Sequence, residues 1–477
     1  MGNSTVRLFL TITLSLLLLI YIIADCFFRE SAFHESNNFA ASAQEKLGTG
    51  FFRIFFITFC DILYPIFAGA ILMIYYSFAP NKIKTLAFFL FFFLITYLCS
   101  ILKMIYHDPR PYWVSPSVKA LECYSEYGNP SGHSMMSIIL FGYLWHKHIW
   151  VWVEKGQLGF LSIWQNEQKQ MNENLIKESI DKDKVSGVHT NPSKTLKFCF
   201  STGAIVLIVF FILFGRIFLG MHSYNEVFLG FFYGFYFIYM YLTYLEDIFI
   251  ALLHSIIVKN SHEINENFHY ISWMLFGLTF AFYMIFLLVP IVAFEACKSH
   301  ISIPEIWYLA IRTSCPSNNM FKMFYYKCFL DCGIISTCFG IFFGILFTKG
   351  KHEIIINDIN FEPYTGKNFT KYVMRAIIII LVSGGITGVF SVLPYHNDIY
   401  MAYFVNINLG TLLGGFALIK IVPFIFSKCK IDQEGDFLKY NGGEMILKSE
   451  MDQEAAIVSM KNSDVEMSTS TKASSAN

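Results

Sequence analysis

The chain has 477 residues, of which 55% are hydrophobic, 18% aromatic and only 15% charged, and its formal net charge is zero. Soluble proteins carry about 25% charged residues, so this composition excludes a soluble globular domain and indicates an integral membrane protein. Because the chain has no overall basic field, we expect no nucleic-acid partner, and the lipid bilayer is the first partner that the composition predicts.

Apolar runs recur along most of the chain. A transmembrane helix needs about 20 predominantly apolar residues. We interpret the first run as an uncleaved span, because it is long for a signal peptide and no cleavage site of small residues follows it. The predicted fold class is an all-α, polytopic membrane helix bundle of about ten spans. The spans are predicted at residues 6–28, 52–78, 84–105, 134–153, 196–219, 226–250, 269–295, 323–348, 373–394 and 401–426.

Lysine and arginine are distributed unevenly between the loops of the two sides. If Met1 faces the cytosol, the cytosolic loops contain the Lys-rich segments at 82–84, 155–194, 349–371 and 428–430. Positive residues favour the cytosolic side. The sequence therefore predicts a cytosolic N-terminus and, after ten spans, a cytosolic C-terminal tail.

The third predicted span ends in KMIYHDPRPYW, residues 103–113, which contains two cations seven positions apart. Lys103 lies inside the helix near its end, and Arg110 stands between two prolines that stop the helix. Two helical turns separate positions seven apart, so both side chains can point the same way. Charged residues at membrane depth are costly and mark functional sites, whereas Lys103 by itself would be typical of a side chain that extends to the interface.

The stretch GNPSGHSM, residues 128–135, stands at the entrance of the fourth predicted span. A helix N-terminus presents unpaired N–H groups and the positive end of its dipole, so it can bind an anion. Ser131 and Gly132 would form that entrance, and Gly132 would let a ligand approach the backbone closely. His133 falls in the first turn, where it can donate a proton to a bound group, although Pro-Ser-Gly alone is also common in turns.

A third cluster, GRIFLGMHSYNEV at residues 215–227, connects the fifth and sixth predicted spans. Arg216 ends one span, and His222 follows it in the connection. Glu226 comes one turn after His222 if the chain is helical there, so its carboxylate can hold one imidazole nitrogen. The other nitrogen is then free to act as a nucleophile.

The predicted topology brings these three segments to one face of the membrane. Three cations and a helix dipole suit a dianionic phosphate, and two histidines suit a nucleophile and a general acid. The pattern predicts phosphoryl transfer by positioning and charge stabilisation. No metal-site spacing occurs near these residues, so we expect no metal and no other cofactor. The face would collect a helix N-terminus, His133, His222, Glu226, Lys103, Arg110 and Arg216.

In this order and with these gaps, the motifs KX6RP, PSGH and RX5H resemble the three-part signature of the type 2 phosphatidic acid phosphatase (PAP2) superfamily. That superfamily includes lipid phosphate phosphatases, glucose-6-phosphatase and vanadium haloperoxidases. The resemblance implies a six-span helical core, a metal-independent phosphatase activity and a phosphorylated lipid as the substrate.

The resemblance also implies a role for each matching residue. His222 would attack phosphorus and form a phosphohistidine, Glu226 would orient His222, and His133 would protonate the leaving alkoxide. Water would then hydrolyse the intermediate. The phosphate oxygens would be bound by Lys103, Arg110, Arg216, Ser131 and the backbone of Gly132.

The third motif departs from the family's usual form at two positions. Gly215 stands where a serine usually precedes the arginine, and Glu226 stands where an aspartate usually follows the nucleophile. Glu226 keeps the charge but adds a methylene, so its hydrogen bond to His222 must be re-aimed. A small geometric error at a catalytic pair can lower the reaction rate strongly.

The loops of this chain resemble the corresponding loops of several groups within the superfamily. SEY before the second motif and GMHS in the third resemble sphingosine-1-phosphate phosphatases, although that group more often has PSTH as its second motif. RPYW resembles glucose-6-phosphatase, where its aromatic rings could stack on a sugar, and dolichyl-diphosphate phosphatases carry a similar loop. A lipid phosphotransferase would share these residues, and a non-catalytic transporter or receptor that kept a phosphate site is the alternative of another class.

On this interpretation the chain divides into four regions. Residues 1–51 hold the first span and the loop after it, and residues 52–250 form the PAP2-like phosphatase core, interrupted by a polar loop at 154–195. Residues 251–426 contain additional spans, and 427–477 form a polar tail whose composition predicts disorder. With a cytosolic N-terminus, the site would face the lumen or the outside. The resemblance implies the endoplasmic reticulum as the compartment, which would place the site on the lumenal side.

The 11 cysteines form no CxxC pair. Most fall inside apolar runs, where cysteine is a small buried hydrophobe. Cys123, Cys297 and Cys315 fall in predicted loops, and a disulfide among them is left open by the sequence.

Overall fold

The computed structural model describes residues 3–48, 50–63, 72, 82–150, 192–261, 267–315, 324–347, 366–394 and 398–431. Within these residues every regular element is helical and no strand is present, which confirms the predicted all-α fold class. The predicted polar loop at 154–195 is described only from residue 192, and the predicted tail at 427–477 only to residue 431, so the rest of both lies outside the described residues.

The described helices of the N-terminal half are numbered in chain order. Short π-helical segments continue α2 through Ile57–Leu63 and α5 through Trp145–Trp150, and Tyr241–Leu245 joins α7 to α8. The helices are α1 (Asn3–Leu47), α2 (Phe51–Phe56), α3 (Lys82–Tyr106), α4 (Pro111–Val114), α5 (Gly132–Leu144), α6 (Pro192–Phe218), α7 (Tyr224–Met240) and α8 (Glu246–Ser261).

The C-terminal half continues the numbering. A 3-10 turn at Cys332–Ile335 joins α11 to α12, and π-helical segments at Ile380–Gly384 and Ala402–Leu409 join α13 to α14 and α15 to α16. The helices are α9 (Asn267–His300), α10 (Glu305–Ser314), α11 (Tyr325–Asp331), α12 (Ser336–Leu346), α13 (Gly366–Ile379), α14 (Gly385–Ser391), α15 (Ile399–Met401) and α16 (Gly410–Lys428).

Eight helical stretches of the described chain are long and apolar enough to cross a membrane, by length and composition. They coincide with the first, the third and the fifth to tenth predicted spans. Of the other two, about half of the predicted span at 52–78 lies outside the described residues, and the span at 134–153 is occupied by α5 and its π-helical continuation. The chain is therefore a polytopic membrane helix bundle, as predicted.

Helix α1 continues well beyond the first predicted span. We expected a loop after residue 28, and that expectation was wrong, because the helix runs to Leu47. Three polar residues of this extension, Ser36, Asn37 and Gln44, are buried. Gln44 Nε2 donates a hydrogen bond to the carbonyl of Phe218 (2.8 Å), and Ser36 Oγ accepts one from the backbone N–H of Tyr224 (2.9 Å). Tertiary hydrogen bonds therefore satisfy the side chains of Ser36 and Gln44 in this helical segment.

Helices α5 and α7 begin at the second and third motifs, and glycines let them pack closely. A Cβ at Gly230 would lie 2.5 Å from the carbonyl oxygen of Ser131, and one at Gly234 would lie 2.7 Å from that of Met135. Small residues allow helix backbones in a membrane to approach each other. This contact holds the N-terminal ends of both helices side by side.

The C-terminal half packs against the loop that joins α4 to α5. Helices α9 and α11 contact α3. Trp113 of α4 lies against the rings of Trp307 in α10 (centroids 6.0 Å apart) and Phe324 (4.9 Å). A disulfide between Cys123 and Cys315 joins the loop to the end of α10. The two halves are therefore linked covalently beside the three motifs.

The third cysteine considered from the sequence is a free thiol. We expected Cys297 in a loop, and this was wrong, because α9 extends to His300 and encloses it. Its side chain is buried.

Candidate active site

His222 and Glu226 are adjacent at the start of α7. His222 precedes the first helical residue, Tyr224, and Glu226 lies in the first turn. The Glu226 carboxylate reaches back as in a capping box, and its Oε2 accepts the backbone N–H of Ser223 at 3.0 Å. The same oxygen is 3.1 Å from Nδ1 of His222. The helix cap, rather than one turn of regular helix, therefore brings the pair together.

The second ring nitrogen of His222 faces Arg110. Nη1 of Arg110 is 3.4 Å from Nε2 of His222 and donates to the carbonyl of Met221 at 2.9 Å. Nε of Arg110 donates to the carbonyl of Glu126 at 2.7 Å, and the side chain is 0% exposed. When Nδ1–H is donated to the carboxylate, Nε2 carries the lone pair and faces the position that a group bound by Arg110 would take.

Lys103 and Arg110 point into the same small volume. Lys103 lies in the last turn of α3, and Arg110 immediately precedes α4, which begins at Pro111. Proline is favoured at the first position of a helix because its missing N–H has no partner to lose there. Both cations pair with one carboxylate oxygen, Oε1 of Glu126, which is 3.3 Å from Nη2 of Arg110 and in direct contact with Nζ of Lys103.

Arg216 approaches the same volume from the end of α6. Its guanidinium lies 5.0 Å from the ring centre of Tyr124, and that of Arg110 lies 5.1 Å from the same centre. Nη1 of Arg216 is 3.4 Å from Oε2 of Glu122. The carbonyl of Arg216 accepts the backbone N–H of His222 at 3.2 Å, so the third motif folds back on itself.

The PSGH segment forms the N-terminal end of α5. Ser131 is the N-cap residue and Gly132 the first helical residue. The backbone N–H of Ser131 donates to the carbonyl of Glu226 at 3.0 Å, which joins the second motif to the third. The His133 ring stands edge-on to the Tyr124 ring, with centroids 6.3 Å apart, so it borders the volume shared by the two arginines.

All eight site residues predicted from the sequence therefore lie around one volume, and their roles remain predictions. The described residues include no group of three or more His, Cys, Asp or Glu that could hold a metal ion. The groups that can bind an anion are the cations and the N-terminus of α5. The eight residues are His222, His133, Glu226, Lys103, Arg110, Arg216, Ser131 and Gly132.

The electrostatic environment keeps His222 neutral. Burial disfavours its charged form, and Arg110 and Arg216 repel a positive charge there, so the pKa of His222 lies well below its ordinary value. A nucleophilic imidazole must be unprotonated. The free site therefore holds His222 in the form that attack requires.

The nearby cations favour the charged form of Glu126. Burial by itself would raise the pKa of this carboxyl, but Lys103, Lys327 and Arg110 outweigh burial and hold the pKa well below its ordinary value. An ionised carboxylate therefore lies against two of the predicted phosphate-binding cations.

The sequence did not identify the acidic side chains of the loop between α4 and α5 as part of the site. Glu122, Tyr124 and Glu126 all contact the predicted cations, yet the sequence pointed to SEY only as a point of resemblance. Ion pairs between loop carboxylates and cations on three different segments follow no periodic pattern that the sequence would show. An alternation of acidic and aromatic residues between two cationic motifs was the only available hint.

A second polar group joins α1 to the first two motifs. Nη1 of Arg29 is 2.9 Å from Oδ1 of Asp108, and Nδ2 of Asn129 donates to Oδ2 of the same carboxylate at 2.7 Å. Asp108 directly precedes Pro109 inside the first motif, and Asn129 directly precedes Pro130 of the second motif. This bridge sets the distance between the two motif loops.

Comparison with known protein families gives a match over the same part of the chain. The PAP2 superfamily model matches residues 84–250. This PAP2 segment runs from α3 to α8 and contains all three motifs, so the resemblance is confirmed at the level of the superfamily. The superfamily includes phosphatases, and the match suggests a phosphatase. Searches of curated proteins and of solved structures give no match.

Proposed function

We propose that the chain is a membrane-embedded lipid phosphate phosphatase that hydrolyses a phosphomonoester through a phosphohistidine, without a metal ion. The observation that carries the proposal is the position of His222 in the PAP2 segment. Its Nδ1 is 3.1 Å from the Glu226 carboxylate and its Nε2 is 3.4 Å from the Arg110 guanidinium. An imidazole held in this way can attack a phosphate that the guanidinium binds.

The first step forms a bond between Nε2 of His222 and phosphorus and breaks the bond from phosphorus to the leaving oxygen. His133 gives a proton to that oxygen, so the product leaves as a neutral alcohol. Negative charge on the other phosphate oxygens is stabilised by Lys103, Arg110 and Arg216.

In the second step, water attacks phosphorus and the bond from phosphorus to Nε2 of His222 breaks. His133 takes a proton from the water, and inorganic phosphate leaves. Glu226 accepts the hydrogen bond from Nδ1–H in both steps, so it keeps His222 in one tautomer and stabilises its positive charge while phosphorus is attached.

We propose a sphingoid-base phosphate or a related lipid phosphate as the substrate. The site lies where the apolar helices α3, α5 and α6 begin or end, so a hydrocarbon chain can stay among helices while its phosphate reaches the cations. Trp113 of the RPYW stretch is 1% exposed and packs against Trp307 and Phe324. Its burial leaves no face for a sugar, which favours a lipid over glucose 6-phosphate.

For the location, we propose the endoplasmic reticulum, with a cytosolic N-terminus and the site on the lumenal side. The distribution of lysines supports this orientation. The disulfide between Cys123 and Cys315 adds support, because it lies in the loop that covers the site and disulfides persist in oxidising compartments such as the lumen.

The test is phosphate release by the detergent-purified protein in EDTA. The substrates are a long-chain base phosphate, phosphatidic acid and glucose 6-phosphate, and the variants are His222→Ala and the control His300→Ala. His300 is an exposed histidine in the last turn of α9. We expect release from a lipid phosphate by the unmodified protein and by His300→Ala, and none by His222→Ala.

Two outcomes would contradict the proposal. Release that persists in His222→Ala would remove the phosphohistidine step. No release from any of the three substrates, with the protein folded, would favour a phosphotransferase or a phosphate-binding membrane protein.

A further inference from the structure

Glu126 lies between the candidate phosphate site and the C-terminal helices. On one side its Oε1 pairs with Lys103 and with Arg110, whose Nη2 is 3.3 Å away. Both of these cations are assigned to phosphate oxygens in the proposed function. A carboxylate and a phosphate oxygen are both anionic hydrogen-bond acceptors, so Glu126 and the phosphate compete for the same donors.

On its other side Glu126 faces α11, which lies outside the PAP2 segment. The carboxyl groups of Glu126 and Asp331 are hydrogen-bonded to each other. Asp331 pairs in turn with Lys327 one helical turn earlier. The side chains of Lys327 and Asp331 are partly exposed, at 37% and 32%.

The backbone of the Glu126 loop is anchored to the same C-terminal half. The backbone N–H of Phe324, just before α11, donates to the carbonyl of Ser125. The Cys123–Cys315 disulfide holds the other side of this short stretch. Because its backbone is attached at both places, a change of cation partner from Lys103 and Arg110 to Lys327 would have to come from rotation of the Glu126 side chain.

We propose that Glu126 occupies the place of the substrate phosphate in the free protein, and that Lys327 of α11 receives its carboxylate when a phosphate binds. Lys327 and Asp331 are then positioning residues of the site, supplied by helices that the PAP2 match does not cover. This inference rests on the proposed function, because it assigns Lys103 and Arg110 to the phosphate. Binding exchanges one anion for another at these cations, and no bond is made or broken.

The exchange makes opposite predictions for its two partners. Glu126→Gln removes the competing charge, so inorganic phosphate should bind about tenfold more tightly, since the binding-competent fraction of the protein rises. Lys327→Met removes the receiving charge, so phosphate should bind about tenfold more weakly. For the lipid substrate, KM should change in the same directions while kcat stays within about twofold, because neither side chain touches the reacting atoms.

The decisive measurement is a double-mutant cycle on the full chain in detergent, with inorganic phosphate as the probe and calorimetry as the readout. If Lys327 acts through Glu126, the double variant should bind phosphate as tightly as Glu126→Gln alone. Lys327→Arg keeps the charge, so this variant should bind phosphate as tightly as the unmodified protein does. Lys298→Met, which removes another lysine paired with an acid three positions away, is the control and should bind phosphate as the unmodified protein does.

The proposal is overturned if Lys327→Met leaves phosphate binding unchanged, or if its effect is equally large when Glu126 is already glutamine. A thermal unfolding midpoint for each variant identifies any that fail to fold, and Lys327→Gln, which also removes the receiving charge, then replaces Lys327→Met, with weaker phosphate binding expected. Phosphate binding requires no turnover. If the protein binds phosphate as predicted but releases none from a lipid, the exchange at Glu126 is therefore supported and the proposed phosphatase activity is rejected.

Discussion

Glu226 makes two contacts through one oxygen, to the backbone N–H of Ser223 and to the His222 ring. The sequence raised the problem of its extra methylene, since the family usually has aspartate there. The helix cap resolves it, because a side chain that reaches back from the first turn of a helix is typically glutamate. Gly128 provides the room, as a Cβ at that position would overlap the Glu226 carboxylate.

Glu226→Gln tests this residue directly. The amide keeps the size of the side chain but loses the charge that, in the proposed mechanism, stabilises the phosphorylated imidazole. We expect kcat to fall about 100-fold, with KM within about threefold, measured as phosphate release from the preferred lipid substrate. Glu295→Gln, at a half-exposed position in α9, is the matched control. Equal kcat in Glu226→Gln and the unmodified protein would remove Glu226 from the mechanism.

At the scale of helices, Gly215 shows why one family position differs in this chain. A Cβ there would lie 2.6 Å from Sγ of Cys60 and 2.7 Å from a ring carbon of Phe56. Both belong to α2 and its π-helical continuation, which pack on α6. A serine at 215 has no room, so Gly215 is explained by helix packing rather than by a loss of phosphate binding.

We therefore expect Gly215→Ser to destabilise the protein by about 2 kcal/mol, the ordinary cost of overpacking. The measurement is the thermal unfolding midpoint in detergent. Gly203→Ser is the control on the same helix, because a Cβ at Gly203 meets nothing within 4 Å. If the two substitutions lower the midpoint equally, the loss comes from the serine itself and the packing explanation fails.

At the scale of the whole molecule, the C-terminal helices are part of the site's surroundings. They contribute the disulfide partner of the site loop, the ring packing around Trp113 and the charged pair of α11. The PAP2 match ends at residue 250, before any of these. A protein cut after α8 would keep all eight predicted site residues and lose the groups that hold the loop over them.

The disulfide gives a prediction for the whole chain. Nine free cysteines accompany the Cys123–Cys315 pair. A mass-tagged maleimide applied to the denatured, unreduced protein should therefore add nine tags, and reduction beforehand should raise the number to 11, the cysteine count of the sequence. The double variant Cys123→Ser/Cys315→Ser should show nine tags with or without reduction. Eleven tags on the unreduced protein would show that the pair is not oxidised.

The spans, the superfamily and the set of candidate residues could be read from the sequence because each depends on local information. A membrane helix satisfies its own backbone hydrogen bonds, so hydropathy over about 20 residues is enough to predict it. The three motifs are short, and alternate crossing of the bilayer brings them to one face. The extension of α1 to Leu47, the cap that joins His222 to Glu226 and the carboxylate of Glu126 against Lys103 needed the three-dimensional structure. Each of these depends on contacts or backbone geometry that hydropathy and residue spacing do not encode.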